Sequence, residues 1–339
     1  MSRKPENTMT AQHLFARCFR APLAAVAMVL CSIPGQVLPA EASGPIVLTG
    51  IQATYSLAVA LTSGTSIQVQ NIPADGRQLS LQKDYIARRM DALAARFAAA
   101  TAVVSLTNAL PEDPLFRFAR EANIRIVNID AAIPWSVDKP GVALADSPGS
   151  SVPWGKDAEA PESTTAPYFW LSVSNAIRMG DLIASDLAAL FPDSAAVISR
   201  NLDALKRSLL QLRGNYQSRL MEVGSADVFA LTGDFVYLTN DMGLLVDGYF
   251  IKQDVRWTKA DLEGLTKHLR DSRIKVVLHE WLPSEAIQNA IRAGGARLVV
   301  LDAGDPGLVV EGSLAPDGLQ QILRSNLEAI YAALKAQPD

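Results

Sequence analysis

Between about residues 193 and 223 the chain places Leu202, Leu205, Leu209, Leu212, Tyr216 and Leu220 at alternating spacings of three and four. That is a single apolar stripe on one long helix, spanning roughly 45 Å at ~1.5 Å per residue. A helix of that length runs along two lobes. On both sides of it, short β-branched runs alternate with helical patterns, which is how parallel βα units read in a sequence. Before it, strands are expected at 46–50, 67–72, 102–106 and 124–129, with helices near 53–61, 82–99 and 111–122. After it, strands are expected at 227–231, 248–251, 274–278 and 297–301, with helices near 235–241, 259–271, 283–293 and 316–334. A further helix over 175–190 stops at Phe191-Pro192, because proline disfavours helix continuation.

The expected fold is therefore α/β, with two lobes of βα units carrying parallel sheets, bridged by one long helix. The implied boundaries are a first lobe at 43–191, the bridging helix at 192–224 and a second lobe at 225–339. With 339 residues, 49% of them hydrophobic, the chain can bury more than one core. The irregular stretch 136–167, rich in Pro, Gly, Ser and Asp, exceeds an ordinary connection. It contains no histidine and is expected to be a mobile surface loop at the mouth of a cleft.

Residues 1–42 read as an export signal. Arg3, Lys4, Arg17 and Arg20 form a basic start, residues 21–30 a short apolar run, and Ala40 and Ala42 a small-residue cleavage step. The apolar run is too short to span a bilayer. Cys31 would suit a lipid anchor, but the bulky Leu30 precedes it, so simple cleavage is expected. Removal of this segment takes away both cysteines, Cys18 and Cys31, and leaves 27 basic residues against 33 acidic, a formal charge of −6. A mildly acidic, cysteine-free exported chain relies on its cores and gives no reason to expect nucleic acid as a partner.

In open parallel sheets, ligands gather beyond the carboxyl ends of the strands. That rule selects Asp75, Arg77 and Gln78 after the second strand, and Thr107 and Asn108 after the third. In the second half it selects Thr232, Gly233 and Asp234, then His279 and Glu280, then Asp302 and Asp305. Enzyme signatures are missing: there is no Gly-x-Ser-x-Gly elbow, no phosphate-binding Gly-x-x-x-x-Gly-Lys and no Gly-x-Gly-x-x-Gly turn. His279-Glu280 opens like a zinc-protease helix but lacks the second histidine, and Pro283 suits a helix start. The chain is read as a binding module and not an enzyme. His268, beside Lys267 and Arg270, is expected on a solvated surface. For His279 packing competes with ligation, and for Asp302 a turn-capping role competes with metal binding.

The run Tyr168-Phe169-Trp170-Leu171 followed by Asn175-Ala176 resembles the His-x-Trp-Leu…Asn-Ala segment of the periplasmic zinc- and manganese-type solute-binding proteins that feed metal ABC importers. Phe235, Tyr237, Gly243-Leu244, the 275–280 strand end, Leu301-Asp302 and Asn326-Leu327 are similar in order and separation. The likeness runs from about Ile46 to the end of the chain. It implies two lobes on a rigid helix, limited closure, and a metal held by residues of both lobes. Carried over by position, the family's histidines fall on Gln78, Tyr168 and Thr232, and only Asp302 keeps a ligand type. An amide, a phenol and a hydroxyl are poor zinc donors.

Three outcomes stay open. Tyr168, Asp302 and Glu280 could hold a harder cation such as ferric iron through oxygen. Alternatively, the cleft could take a metal already wrapped in a chelator. On a third reading the scaffold has lost metal binding and serves protein interaction or adhesion. The expected role is a periplasmic, monomeric receptor of a metal-type importer, its cargo a zinc, manganese or iron ion or a chelate, and its partner an inner-membrane ABC permease. Gln78, Tyr168, Thr232, His279 and Glu280 are the expected ligand contacts, with Asp302 on the metal.

Overall fold

The computed structural model describes residues 44–134, 136, 138–154 and 164–336. The expected export signal and its cleavage step lie outside the described residues.

The first half forms a four-stranded parallel sheet from β1 (Ile46–Thr49), β2 (Gln68–Asn71), β3 (Ala100–Ser105) and β4 (Val127–Asp130), in the order β2-β1-β3-β4. Its helices are α1 (Gln52–Thr62), α2 (Leu79–Ala87), α3 (Met90–Ala99) and α4 (Leu115–Ala122). The second half contributes β5 (Asp227–Ala230), β6 (Leu245–Tyr249), β7 (Val276–His279) and β8 (Arg297–Val300), in the order β6-β5-β7-β8. With them come α7 (Val236–Met242), α8 (Lys259–Asp271) and α9 (Glu285–Ala293). A small hairpin of β9 (Val309–Val310) and β10 (Ser313–Leu314) follows, and α10 (Gly318–Lys335) closes the described chain. Both sheets repeat one winding, in which the first strand lies between the second and third. In each, the direction of winding reverses between the first and third strands, and a crevice opens there.

Two helices join the halves. α5 (Val173–Leu190) and α6 (Ala195–Met221) pack side by side. Gly180 of α5 permits the approach, since a Cβ there would lie 3.2 Å from Leu205. α6 has 27 residues, about 40 Å at ~1.5 Å each. Its stripe of Ile198, Leu205, Leu209, Leu212, Tyr216 and Leu220 is buried against α1, α5 and α10. One continuous apolar core runs through this layer and touches both sheets: Val47 and Val104 enter it from the first, Val228 and Leu278 from the second. Separate outer cores fill the far face of each sheet. The central core is what holds the two crevices in register.

Four elements differ from expectation; β4 begins at Val127 rather than 124, after a turn in which the Ile126 amide donates to the Asn123 carbonyl. The helix expected over 82–99 is two, α2 and α3, with the turn at Arg88-Arg89. There Arg89 swings its guanidinium to 4.3 Å from the Tyr85 ring centre instead of continuing the helix. α4 begins at Leu115 rather than near 111, because the Asp113 carboxylate accepts from the Leu115 and Leu106 amides and fixes a turn first. β6 begins three residues earlier than 248, with Leu245 exposed on an edge strand, so its outward residues hid it from an apolar search. Among the described residues, no helix is long and apolar enough to cross a membrane.

The stretch 136–167 is not a free surface loop in its described part. The bridge between Asp146 and Thr165 closes its base, and Ser151 donates its amide to the Tyr249 carbonyl at 2.9 Å, at the end of β6. Trp154 lies between Phe229, Phe250 and His268, with ring centres 5.1–6.5 Å away. His268 is accordingly not the solvated residue expected: it is half-buried, with Nε2 2.6 Å from Asp247.

Candidate functional site

The crevice of the second sheet lies between β5 and β7, and the turns that leave these strands carry Asp234 and Glu280. Strand alternation decides which residues after β7 face it. Leu278 belongs to the central core and Val277 to the outer one. Successive side chains point to opposite faces, so His279 follows Val277 outward and Glu280 follows Leu278 inward. His279 is 3% exposed, has its ring centre 4.1 Å from that of Trp281 in a tilted contact, and has Asp254 as its charged neighbour. Burial lowers its pKa to about 4, so the ring is neutral, and its Nδ1 has no hydrogen-bond partner among the described residues. The structure thus separates His279 from the other expected ligands.

Inside the crevice the Asp234 and Glu280 carboxyls are close neighbours, and each shifts the titration of the other. Burial raises both, and for Glu280 the Asp234 charge adds to it, carrying Glu280 to about 7. Asp305 and Asp302 contribute further repulsion to Glu280. Thr232 is 6% exposed and donates its hydroxyl to Asp234. It therefore acts on the cluster through Asp234, which the positional match to a histidine did not indicate.

The loop after β8 supplies the remaining acids. Asp302 is exposed and its Oδ1 accepts from the Gly304 amide at 2.7 Å, the turn-capping arrangement weighed against metal binding. Its backbone is clamped on both sides by Asn326, whose amide oxygen takes the Asp302 N–H and whose nitrogen donates to the Asp302 carbonyl. Asp305 reaches across to the first half, accepting from the Leu79 amide at 2.9 and 3.1 Å. That amide opens α2, where a carboxylate is favoured by the helix dipole. Burial nonetheless raises Asp305 to about 6; the Leu79 hydrogen bond works against the rise and the Asp302 charge reinforces it.

Tyr168 stands at the junction of the halves, just before a 3-10 turn over Phe169–Leu171. Its ring meets Trp170 edge-on at 5.4 Å, and Trp170 in turn donates Nε1 to the Ala303 carbonyl at 2.9 Å. Burial first, then the Glu280, Asp234 and Asp305 charges, push the phenol far above its usual range. It stays a neutral hydroxyl facing three acids. Gln78 is exposed and directly precedes Leu79, so it neighbours Asp305 in the first half. Arg77 beside it lies 4.6 Å over Tyr85.

Tyr168, Asp234, Glu280, Asp302 and Asp305 thus form one electrostatic unit, with Thr232 attached through Asp234. Asp234 and Asp305 were visible as strand-end residues but were not singled out as ligand contacts. The missing signal was strand order, which puts the turns after β5 and β7 side by side. Among the described residues, no three His, Cys, Asp or Glu side chains converge closely enough to enclose an ion.

A family model described as the periplasmic component A of a zinc-uptake complex matches residues 47–333. The zinc-binding lipoprotein AdcA of Streptococcus pneumoniae is 26% identical over 168 residues, 48% of this chain and 33% of that protein. The chain spans about a third of the length of this curated relative. Among solved structures, an FpvC mutant from Pseudomonas aeruginosa aligns with a TM-score of 0.67 at 20% identity, over 86% of this chain and all of that one. FpvC in complex with Ni2+, a solute-binding protein from the same organism, gives 0.64 at 19% identity, over 87% and 98%. These likenesses show the two-lobed solute-binding fold.

Proposed function

We propose that this chain, which belongs to the family of periplasmic zinc-uptake components, is a cation receptor that holds its cargo on the carboxylates of the second crevice. The carrying observation is that Asp234 and Glu280, two half-buried acids, are neighbours in one crevice, with Asp302 and Asp305 adding repulsion. Such an arrangement stores unfavourable charge that a cation relieves. The donors are oxygens throughout: carboxylates, the Thr232 hydroxyl and the neutral Tyr168 phenol. Oxygen donors suit manganese-type ions, whereas zinc favours imidazole and thiolate. On this reading Asp302 contributes from the exposed rim, and Gln78 and His279 are not direct ligands. Delivery to an inner-membrane ABC permease from the periplasm, by a monomer without catalytic activity, completes the proposal.

A second reading has one observation in its favour, namely that among the described residues no three ligating groups converge. A cation that arrives with its own chelator needs fewer protein donors, and the neutral Tyr168 hydroxyl would meet the organic shell.

Titration calorimetry of the purified chain with Mn2+ and with Zn2+ tests the first reading. We expect stoichiometric Mn2+ binding, weakened at least tenfold in Glu280→Gln. Binding of neither ion would end the bare-cation reading, and Mn2+ affinity that survives Glu280→Gln unchanged would place the cargo elsewhere.

A further inference from the structure

Three glycines of the second half sit where the segment 146–154 crosses it. A Cβ on Gly233 would lie 2.9 Å from Pro148 Cγ, and one on Gly264 would lie 2.6 Å from Trp154 Cγ. At Gly248 the added atom would meet Phe229 at 2.9 Å and Val152 at 3.5 Å. None of the three has a backbone angle in the left-handed region. Space, not conformation, explains glycine at these positions. Gly264 is the clearest case, because it stands within α8, where glycine is less favourable than alanine by roughly 1 kcal/mol. The indole of Trp154 occupies the room that this residue leaves open.

The segment is tied at both ends. At its base, the Tyr237 hydroxyl accepts the Ala145 amide at 3.0 Å and donates to the Ala166 carbonyl at 3.0 Å, two residues before Tyr168. At its far end, Ser151 bonds to Tyr249 at the end of β6, Ser150 bonds to Ile251 beyond it, and Trp154 enters the outer core. Between these anchors, Pro148 lies on Gly233. That glycine separates Thr232 from Asp234, and the Asp234 amide bonds back to the Thr232 hydroxyl at 3.3 Å.

We propose that segment 146–154 is a positioning strap: Trp154, seated on α8, holds Pro148 against Gly233 and thereby fixes the turn that presents Asp234 to Glu280. This rests on the reading of that pair as the cargo site, and it assigns the strap a role in affinity that a mere covering would not have. Trp154 touches no cargo; it acts through Pro148 and the turn. Strap docking and cation binding are then linked, each favouring the other.

The test compares the full chain with Trp154→Ala, Trp154→Phe and Gly233→Ala, by amide hydrogen exchange and by Mn2+ titration. Release of the strap is read at the Ser151 amide and loosening of the turn at the Asp234 amide. Trp154→Ala is expected to speed exchange at both at least tenfold and to weaken Mn2+ binding at least fivefold, with Trp154→Phe restoring most of each. Gly233→Ala, which displaces Pro148 and leaves the indole slot intact, is expected to speed exchange at Asp234. Faster exchange at Ser151 with Asp234 and Mn2+ affinity unchanged would overturn the proposal. So would unchanged exchange at Ser151 in Trp154→Ala, since Trp154 would then not be the anchor. Should the unaltered chain bind no Mn2+, the cargo reading fails, while the Asp234 exchange arm still decides whether the strap sets the turn.

Discussion

Glu280 concentrates the chemistry of the crevice. Its carboxyl titrates near 7 when folded, against 4.5 ordinarily, because burial and Asp234 both disfavour the charge. Between those values the folded chain binds the proton more tightly than the unfolded one, so Glu280 lowers stability as pH rises from 4.5 to 7. His279 works the opposite way: held neutral down to about 4, it raises stability as pH climbs from there to 6.5. The two oppose each other over much of the same range, so the pH profile of the unaltered protein alone would be ambiguous. The difference between it and Glu280→Gln is not, since His279 is common to both and cancels. Gln at 280 keeps a donor toward Asp234 and removes the ionisation. The variant should match the parent in thermal melting near pH 4 and exceed it at pH 8, in the absence of added metal. Equal melting temperatures at pH 8 would show that Glu280 ionises there without penalty.

At the scale of elements, α5 is the piece that sets Tyr168. It starts after the Phe169–Leu171 turn, and Ser172 caps it by accepting from the Asn175 amide at 3.1 Å. A second acceptor comes from α7: Asp241 takes the Val173 amide at 3.0 Å and the Ser174 hydroxyl at 2.6 Å. A carboxylate at a helix start satisfies unpaired amides and complements the dipole. Asp241→Ala should therefore destabilise the chain by about 1–2 kcal/mol, the range for losing a capping group, read as a lowered urea midpoint with unchanged slope. An unchanged midpoint would mean that water replaces the carboxylate freely. Much of this level was legible in the sequence. The stripe of α6 and the stop at Phe191-Pro192 follow from periodicity and proline, whereas β7 runs one residue past the expected end at 278, to His279. The strap was not legible, because Trp154 and Gly264 are 110 positions apart and nothing local pairs them. The one available hint was a glycine within an otherwise regular helix. His279 was misleading for a related reason: its neighbour at 280 is the acid, but alternation sends the two to opposite faces, and that depends on which face of β7 meets the central core.

The whole molecule is held by side chains that cross between the halves. Gln52, at the start of α1, is 1% exposed and donates Nε2 to Ser56 Oγ at 2.8 Å and to the Ala315 carbonyl at 2.9 Å. Its Oε1 accepts the Leu308 amide at 2.9 Å, and Ser56 Oγ accepts the Leu319 amide at 3.2 Å. α1 of the first half is thereby bonded to the loop before α10 and to α10 itself. Asp305 to Leu79 is a second tie, and Tyr216 of α6 to Glu328 of α10 at 2.7 Å a third. With one apolar core running beneath them, the described residues form a single compact unit. We therefore expect the lobes to melt together. Gln52→Ala strips partners from two backbone groups in a buried setting, each worth about 1–3 kcal/mol when left unsatisfied. We expect a loss of about 2–4 kcal/mol distributed over the entire chain, with one cooperative transition in the parent and the variant alike. Hydrogen exchange across rising urea reports it: amides of β1 and β3 should lose protection together with those of β5 and β7. Loss of protection in one sheet while the other persists would show two independently folding lobes, and a crevice held by one half alone.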